Sequence, residues 1–407
     1  MSITRYRPYI IFCPLAFLVA CAPKVTKPAS QTVTVFVSGD LPFLELPQLA
    51  QVVSERKENF PVLWLMSGEV FADDVTLALG DGETEAKALY RAGVDAVLFT
   101  PDWLKLGLSR AKGLIDQTHF RVLSANINDT FDLPIAHPWM RKLLTGVNFG
   151  ITGLFLDSND LFLKLNCVHF VPPDYAGKRT LTLLKSKADI SFLLLPPGES
   201  IFVPGFDLIL RPEEKGTTRY DITLIEGRVQ DVVKRQISLA GIEPKPEVLK
   251  VIDSLKNVLD SLSSIPVVDS RVKIPPSVLT KRVIEGILKE NVADLFLYDS
   301  TDFIPETLLP GTITRGQIIT AFSDPGKLVI FDLDGEEIKR LRNRAGVKVL
   351  VRSGLPSGRL PEQRVYSVAT TGRFLKKHPE IPVNRLELSE KRLWEYAVDI
   401  LQAQGKR

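Results

Sequence analysis

The sequence predicts an α/β fold in two domains, and three observations carry that expectation. At 407 residues the chain exceeds what one ordinary hydrophobic core holds, so two cores are expected. From Thr32 onward, short continuous apolar runs alternate with segments of helical periodicity, the pattern of a sheet covered on both faces. Polar residues recur just past the ends of those runs, where open α/β sheets place ligands.

Composition narrows the class. An apolar fraction of 45% with 24% charged residues fits a globular chain, neither disordered nor polytopic. The formal charge of +3 is spread without a long basic block, so no nucleic acid partner is expected. Arg5 and Arg7 precede an apolar run from Tyr9 to Ala20, broken by Pro14 and short for a bilayer span, so residues 1–20 read as a signal peptide. The run ends in Leu18-Val19-Ala20-Cys21, which resembles the bacterial lipobox. On that resemblance Cys21 is acylated and anchors the protein to a membrane; an ordinary secretory signal or a single anchor helix is the alternative. Ala22 is unlike the aspartate that tends to retain lipoproteins at the inner membrane of enteric bacteria, which points to the outer membrane, facing the periplasm. Residues 21–31, with two prolines and two lysines, read as a tether. Cleavage removes Cys13 and lipidation uses Cys21, so Cys167 is left without a disulfide partner.

The elements follow in order. Strand-like runs are TVTVFV (32–37), VLWLM (62–66), DAVLF (95–99), FRVLSANI (120–127), DISFLLL (189–195) and FDLIL (206–210), with GVNFGITGLFL (146–156) read as a hairpin. Helices are expected from Pro47, whose ring suits a first turn, and from Gly82 to Gly93. These make up a first domain over residues 32–240. Apolar residues at 248, 249, 251, 252, 255, 258, 259 and 262 mark a linker helix within 241–265. A second domain, 266–388, holds helical VLTKRVIEGILKEN, strand-like DLFLY and VYSVAT, and KLVIFDLDGEEIKRL, where Glu336 and Glu337 favour the positive end of a helix. The Gly/Pro-rich loop 352–364 carries arginines that an anion could use, although a solvated loop is the simpler account. Ser389 is expected to cap a final helix, 389–407.

The candidate site residues are Asp40, Glu69, Asp102, Asn126, Glu199 and Glu213, each close behind an apolar run. The four histidines, His119, His137, His169 and His378, have no metal-ligand spacing and read as structural.

The collinear order of LLPGTITRGQIITAF, GKLVIFDLDGEEIKRL, VYSVATTGRFL, VLSANI and GVNFGITGL resembles the bacterial 5′-nucleotidase and UDP-sugar hydrolase family. The resemblance covers most of the chain from Thr32 to about Leu375. It implies an N-terminal metallophosphatase-like layered α/β sandwich of the calcineurin type, a linker helix and a C-terminal α+β nucleotide-binding domain. In such enzymes two divalent metals, about 3.5 to 4 Å apart, activate water for attack on a phosphate. Carried over position by position, the resemblance keeps Asp40 but puts Pro42 where a ligand histidine belongs, and Glu69 in place of the bridging aspartate. It places Pro101 and Asp102 at the metal-binding asparagine and catalytic histidine, Pro196 at another histidine, and Glu213 and Lys215 at a histidine pair. Proline side chains cannot coordinate. Nucleotide recognition departs too, with Ile304 near an expected arginine and Asp324 at a stacking phenylalanine.

The sequence therefore favours a lipid-anchored pseudoenzyme that binds an envelope protein or a small ligand, with the two-metal site lost. The alternatives are a metal-dependent phosphohydrolase with an altered carboxylate site, and a small-ligand binder without turnover. No cofactor is expected; a weak Mg²⁺ or Ca²⁺ remnant at Asp40, Glu69, Asp102 and Glu213 belongs to the phosphohydrolase alternative.

Overall fold

Continuous apolar runs suit parallel strands of a sheet covered on both faces. The computed structural model describes residues 30–71, 79–156, 163–164, 168–213, 216–299, 307–353, 355 and 360–405. Strand β1 (Ser30–Ser38), helix α1 (Leu46–Asn59), strand β2 (Val62–Met66), helix α2 (Glu83–Ala92), strand β3 (Ala96–Leu98), helix α3 (Leu108–Gln117) and strand β4 (Arg121–Leu123) form a parallel β1-β2-β3-β4 array. All five residues of β2 are buried, and the strands divide their side chains between two cores. Phe36, Trp64, Val97 and Val122 pack with the helices through Leu49, Val53, Ala88 and Leu114. Val35, Leu63, Leu65 and Leu98 meet a second sheet instead.

That second sheet follows strand β5 (Ile127–Asn128). It contains β6 (Trp139–Leu144) and β7 (Val147–Gly153), while β8 (His169–Phe170) pairs back with β5. Helix α4 (Pro173–Lys185) leads to β9 (Ile190–Leu194) and β10 (Leu208–Leu210), giving the order β10-β9-β7-β6. Helix α4 lies close on the outer face, since a side chain added at Gly150 would come within 2.8 Å of Leu184. The backbone N–H of Ala125, just past β4, donates to the Gly153 carbonyl at 2.9 Å, so the two sheets share one carboxyl end. Strands β11 (Thr217–Ile225) and β12 (Arg228–Ile237) close the first sheet as an antiparallel hairpin against β1.

Helix α5 (Pro246–Ser263) occupies the stretch whose periodicity predicts it, with Val248 and Ile252 buried in the first core. Beyond it come β13 (Pro266–Ser270), α6 (Pro276–Lys289), β14 (Leu295–Asp299), β15 (Gly311–Thr314), α7 (Arg315–Ala321), β16 (Lys327–Asp334) and α8 (Gly335–Arg342). Then follow β17 (Val347–Val351), β18 (Val365–Thr370), α9 (Gly372–Lys377), β19 (Asn384–Arg392) and α10 (Leu393–Gly405). Their main sheet has the order β17-β14-β18-β16-β19. Asp334 caps α8 by accepting the Glu337 N–H at 2.8 Å, with Glu336 and Glu337 in the first turn as the sequence predicts. The two halves are joined by α5, which packs on α1, α2 and α7, by Leu79 against the second core, and by an ion pair between Arg392 and Asp81.

Three expectations are corrected. GVNFGITGLFL is not a hairpin in itself: β7 is one strand, and its partner is β6, across the Thr145–Gly146 turn. Ser389 does not cap the last helix but sits in β19, where its hydroxyl accepts the Leu328 N–H and donates to the Lys391 carbonyl. The β11–β12 hairpin has no counterpart among the expected strands, because its alternating, half-exposed pattern contains no continuous apolar run. No helix of the described residues is long and apolar enough to cross a membrane. The signal peptide, Cys21, Cys167, Lys215 and Ile304 lie outside the described residues.

Candidate functional site

The loops past β1, β2 and β3 crowd together at the shared carboxyl end. A Cβ added at Gly68 would lie 2.2 Å from the backbone nitrogen of Asp40, so this close approach admits glycine alone. On the other side, Gly39 is approached by the Glu213 carbonyl and by Pro197 and Pro212, each 3.3 Å from where its Cβ would stand. Asp40, Glu69, Asp102 and Glu213 are thus brought to one end of the sandwich, but their side chains take different roles.

Asp102 is 0% exposed. Pro101 opens a 3-10 helix over Pro101–Leu106, and its fixed φ starts the turn that points Asp102 inward. One carboxylate oxygen accepts the backbone N–H groups of Val70 and Phe71, both at 2.8 Å, and the other accepts the Thr100 hydroxyl. Trp103 follows into the core, edge-on to Phe71 at 5.0 Å and stacked with Phe99 at 6.3 Å. Asp102 therefore ties the loop past β3 to the loop past β2.

Asp40 accepts the Glu69 N–H at 2.8 Å while remaining exposed. Glu69 is half-buried, and its carboxyl is held above its ordinary 4.5 by burial first, then by the neighbouring Asp102 and Asp40; Lys105 and Lys376 act in the opposite direction. Glu213 is exposed, and its backbone N–H donates to Thr218. Glu199 is exposed as well, its carbonyl accepting from Arg211. Asn126 is buried and exchanges two hydrogen bonds with the Phe155 backbone, extending the link between the sheets. Among the described residues no group of three or more His, Cys, Asp or Glu is arranged to hold a metal ion.

The histidines have other surroundings. His119 lies against Tyr90, His137 against Arg121, His169 beside Asp132 and His378 against Phe374. Burial lowers the affinity of His137 and His378 for a proton, and Arg121 and Arg344 respectively lower it further. Sequence reasoning missed Thr100, Ser38 and Ser67. Thr100 anchors Asp102, and Ser38 links the Trp64 indole N–H to the Thr217 hydroxyl. The Ser67 hydroxyl is buried without a hydrogen-bond partner among the described residues. Of these, only Thr100 had a signal: a threonine two residues before an aspartate across a proline marks a local turn.

In the second half, Asp324 accepts the N–H groups of Gly326 and Arg373 at 3.2 and 3.0 Å. The space left beside Tyr298, Asp299, Asp324, Arg373 and Phe374 is about 10 Å³, scarcely room for one water. The arginine-bearing loop is partly tied down: Arg352 pairs with Asp294 at 2.9 Å, Glu362 with Lys339 at 2.9 Å, and Arg364 lies over Tyr366.

Solved structures that share this architecture include nucleotidases. A 5′-nucleotidase precursor from Thermus thermophilus superposes with a TM-score of 0.55 over 92% of this chain and 97% of that one, at 13% identity. The NAD nucleotidase of Haemophilus influenzae does so at 0.56, over 93% and 97%, at 11% identity. The chain has the 5′-nucleotidase fold. A Thermus thermophilus sulfate thiohydrolase shares that fold, with a TM-score of 0.50 over 90% of this chain and 81% of that one, at 16% identity. No protein-family model matches the sequence, and comparison with curated proteins finds no relative.

In this 5′-nucleotidase fold the residues present do not fit a two-metal centre. Pro42, Pro101 and Pro196 offer no donor atom, and Asp102 is fully buried with both oxygens engaged by backbone or hydroxyl donors. Asp102→Ala would orphan two backbone donors, so it is expected to lower unfolding free energy by about 3 kcal/mol, read by urea titration. Glu69 behaves oppositely, because a carboxyl held above its ordinary value destabilises the fold once ionised. That cost is absent below pH 4.5, where both states hold the proton, and grows as pH rises through the folded-state value. Glu69→Gln should therefore raise the melting temperature at pH 7 relative to the parent and converge with it near pH 4; equal differences at both would contradict this.

Proposed function

We propose that the protein is a lipid-anchored, non-catalytic component of the bacterial cell envelope, built on the 5′-nucleotidase fold and used for binding or structure. The observation that carries this is Asp102. At the position where the resemblance expects a catalytic histidine, a buried carboxylate spends its hydrogen-bonding capacity on Val70, Phe71 and Thr100. A general acid or metal ligand must reach substrate, and a carboxylate that is 0% exposed does not. The closed space at Asp324 and Arg373 supports the same reading for the nucleotide. The outer membrane, facing the periplasm, is the location that Cys21 and Ala22 favour.

Metal-dependent phosphohydrolysis is the second reading. The fold neighbours from Thermus and Haemophilus are nucleotidases by name, and Asp40 and Glu69 keep carboxylates at the strand ends. Binding of a small ligand without turnover is intermediate between the two.

Purified protein, assayed against nucleotides and a generic phosphate ester with Mn²⁺, Zn²⁺, Mg²⁺ or Ca²⁺, is expected to show no turnover above the metal blank. Metal-dependent hydrolysis abolished by Asp40→Asn would establish the second reading. For the anchor, Cys21→Ser is expected to abolish incorporation of labelled fatty acid in cells, and undiminished labelling would remove the lipoprotein assignment.

A further inference from the structure

A cleft of about 720 Å³ lies away from the strand-end loops, between the edge strand β6 and the end of α4. Trp139 and Arg141 of β6 form one wall; Lys185, Lys187 and Asp189 form the other, and Asn148 lies between them. Arg141 and Lys185 have no carboxylate partner among the described residues, and the Lys187 ammonium stands 5.0 Å over the Trp139 ring. The one acid in the cleft, Asp189, already accepts the Asn148 N–H at 2.9 Å. Three cations against one engaged carboxylate make a site for an anion. Leu143 and Leu183, 62% and 46% exposed, add apolar surface on the same two elements.

The place of the cleft in the fold says which anion. The Ala125–Gly153 bond puts the carboxyl ends of both sheets together, so the amino ends of β1, β7 and β9 share the opposite end. The cleft runs along β6 from Trp139, opposite Thr152, down to Asn148 and Asp189 at the amino ends of β7 and β9, and β1 begins at Ser30 on that lower side. Cys21 precedes Ser30 by 30 − 21 = 9 residues, a span of about 30 Å at most. Any bilayer that holds Cys21 is therefore within reach of this end. Basic side chains beside exposed leucines and an indole suit an anionic membrane interface.

We propose that this cleft docks on anionic phospholipid headgroups of the bilayer that carries the anchor, with a headgroup phosphate held by Arg141, Lys185 and Lys187. The proposal rests on the lipid-anchor reading for the choice of surface, and its test leaves the lipid out. The unlipidated chain from Ala22 onward, which retains every described element, is sedimented with vesicles of phosphatidylglycerol or of phosphatidylcholine. Tighter binding to phosphatidylglycerol, by about tenfold or more, is expected. The triple variant Arg141→Glu, Lys185→Glu, Lys187→Glu should lose that preference, whereas Lys250→Glu, Lys256→Glu, Lys281→Glu, an equal charge change elsewhere, should keep it. Single variants Arg141→Gln and Lys185→Gln, at exposed positions, should each weaken binding about fivefold and guard against misfolding of the triple variant. Equal binding to both vesicle types, or equal losses in the two triple variants, would overturn the proposal. Because no acyl chain is present, these outcomes are independent of the Cys21→Ser labelling experiment, which tests the anchor alone.

Discussion

The carboxyl end of the sandwich depends on one buried carboxylate. Three strands end within a few residues of each other, and their loops carry backbone N–H groups that burial would leave unpaired. Asp102 satisfies two of them, at Val70 and Phe71, from a turn that Pro101 starts and Thr100 braces. Gly68 then permits the first loop to approach until Asp40 can accept from Glu69. Without the Asp102 link, the Phe71–Trp103–Phe99 aromatic group beneath would lose the lid that orders it.

The same bonds set which carboxylates at this end face inward and which face solvent. Asp102 is turned onto the neighbouring loop and its own turn, whereas Asp40 and Glu213 stay exposed at the same end. In the second half Asp324 accepts the backbone N–H of Arg373, joining the loop past α7 to the start of α9. In both places a carboxylate accepts from backbone N–H groups of a neighbouring segment.

The parallel strands and the helix at 246–263 were legible because burial on two faces demands continuous apolar runs and helical burial demands a 3.6-residue period. Position was legible at the site as well: Asp40, Glu69, Asp102 and Glu213 do stand at one end of the sandwich. Orientation was not, since residue type alone does not say whether Asp102 faces a cleft or two amides. The β11–β12 hairpin escaped for a related reason, as each strand shows one face to solvent and reads as polar. Ser389 looked like a cap because serine before an apolar helix usually is one, yet the strand β19 runs on to Arg392.

The joint between the halves has a mechanical meaning. Helix α5, 18 residues and so about 27 Å long, is packed at both its ends, and Arg392 pairs with Asp81 beside it. Between those ends most of the helix faces solvent, with only Val248 and Ile252 buried. Any change in the angle between the halves must therefore unpack α5 from α1, α2 or α7 and part Arg392 from Asp81.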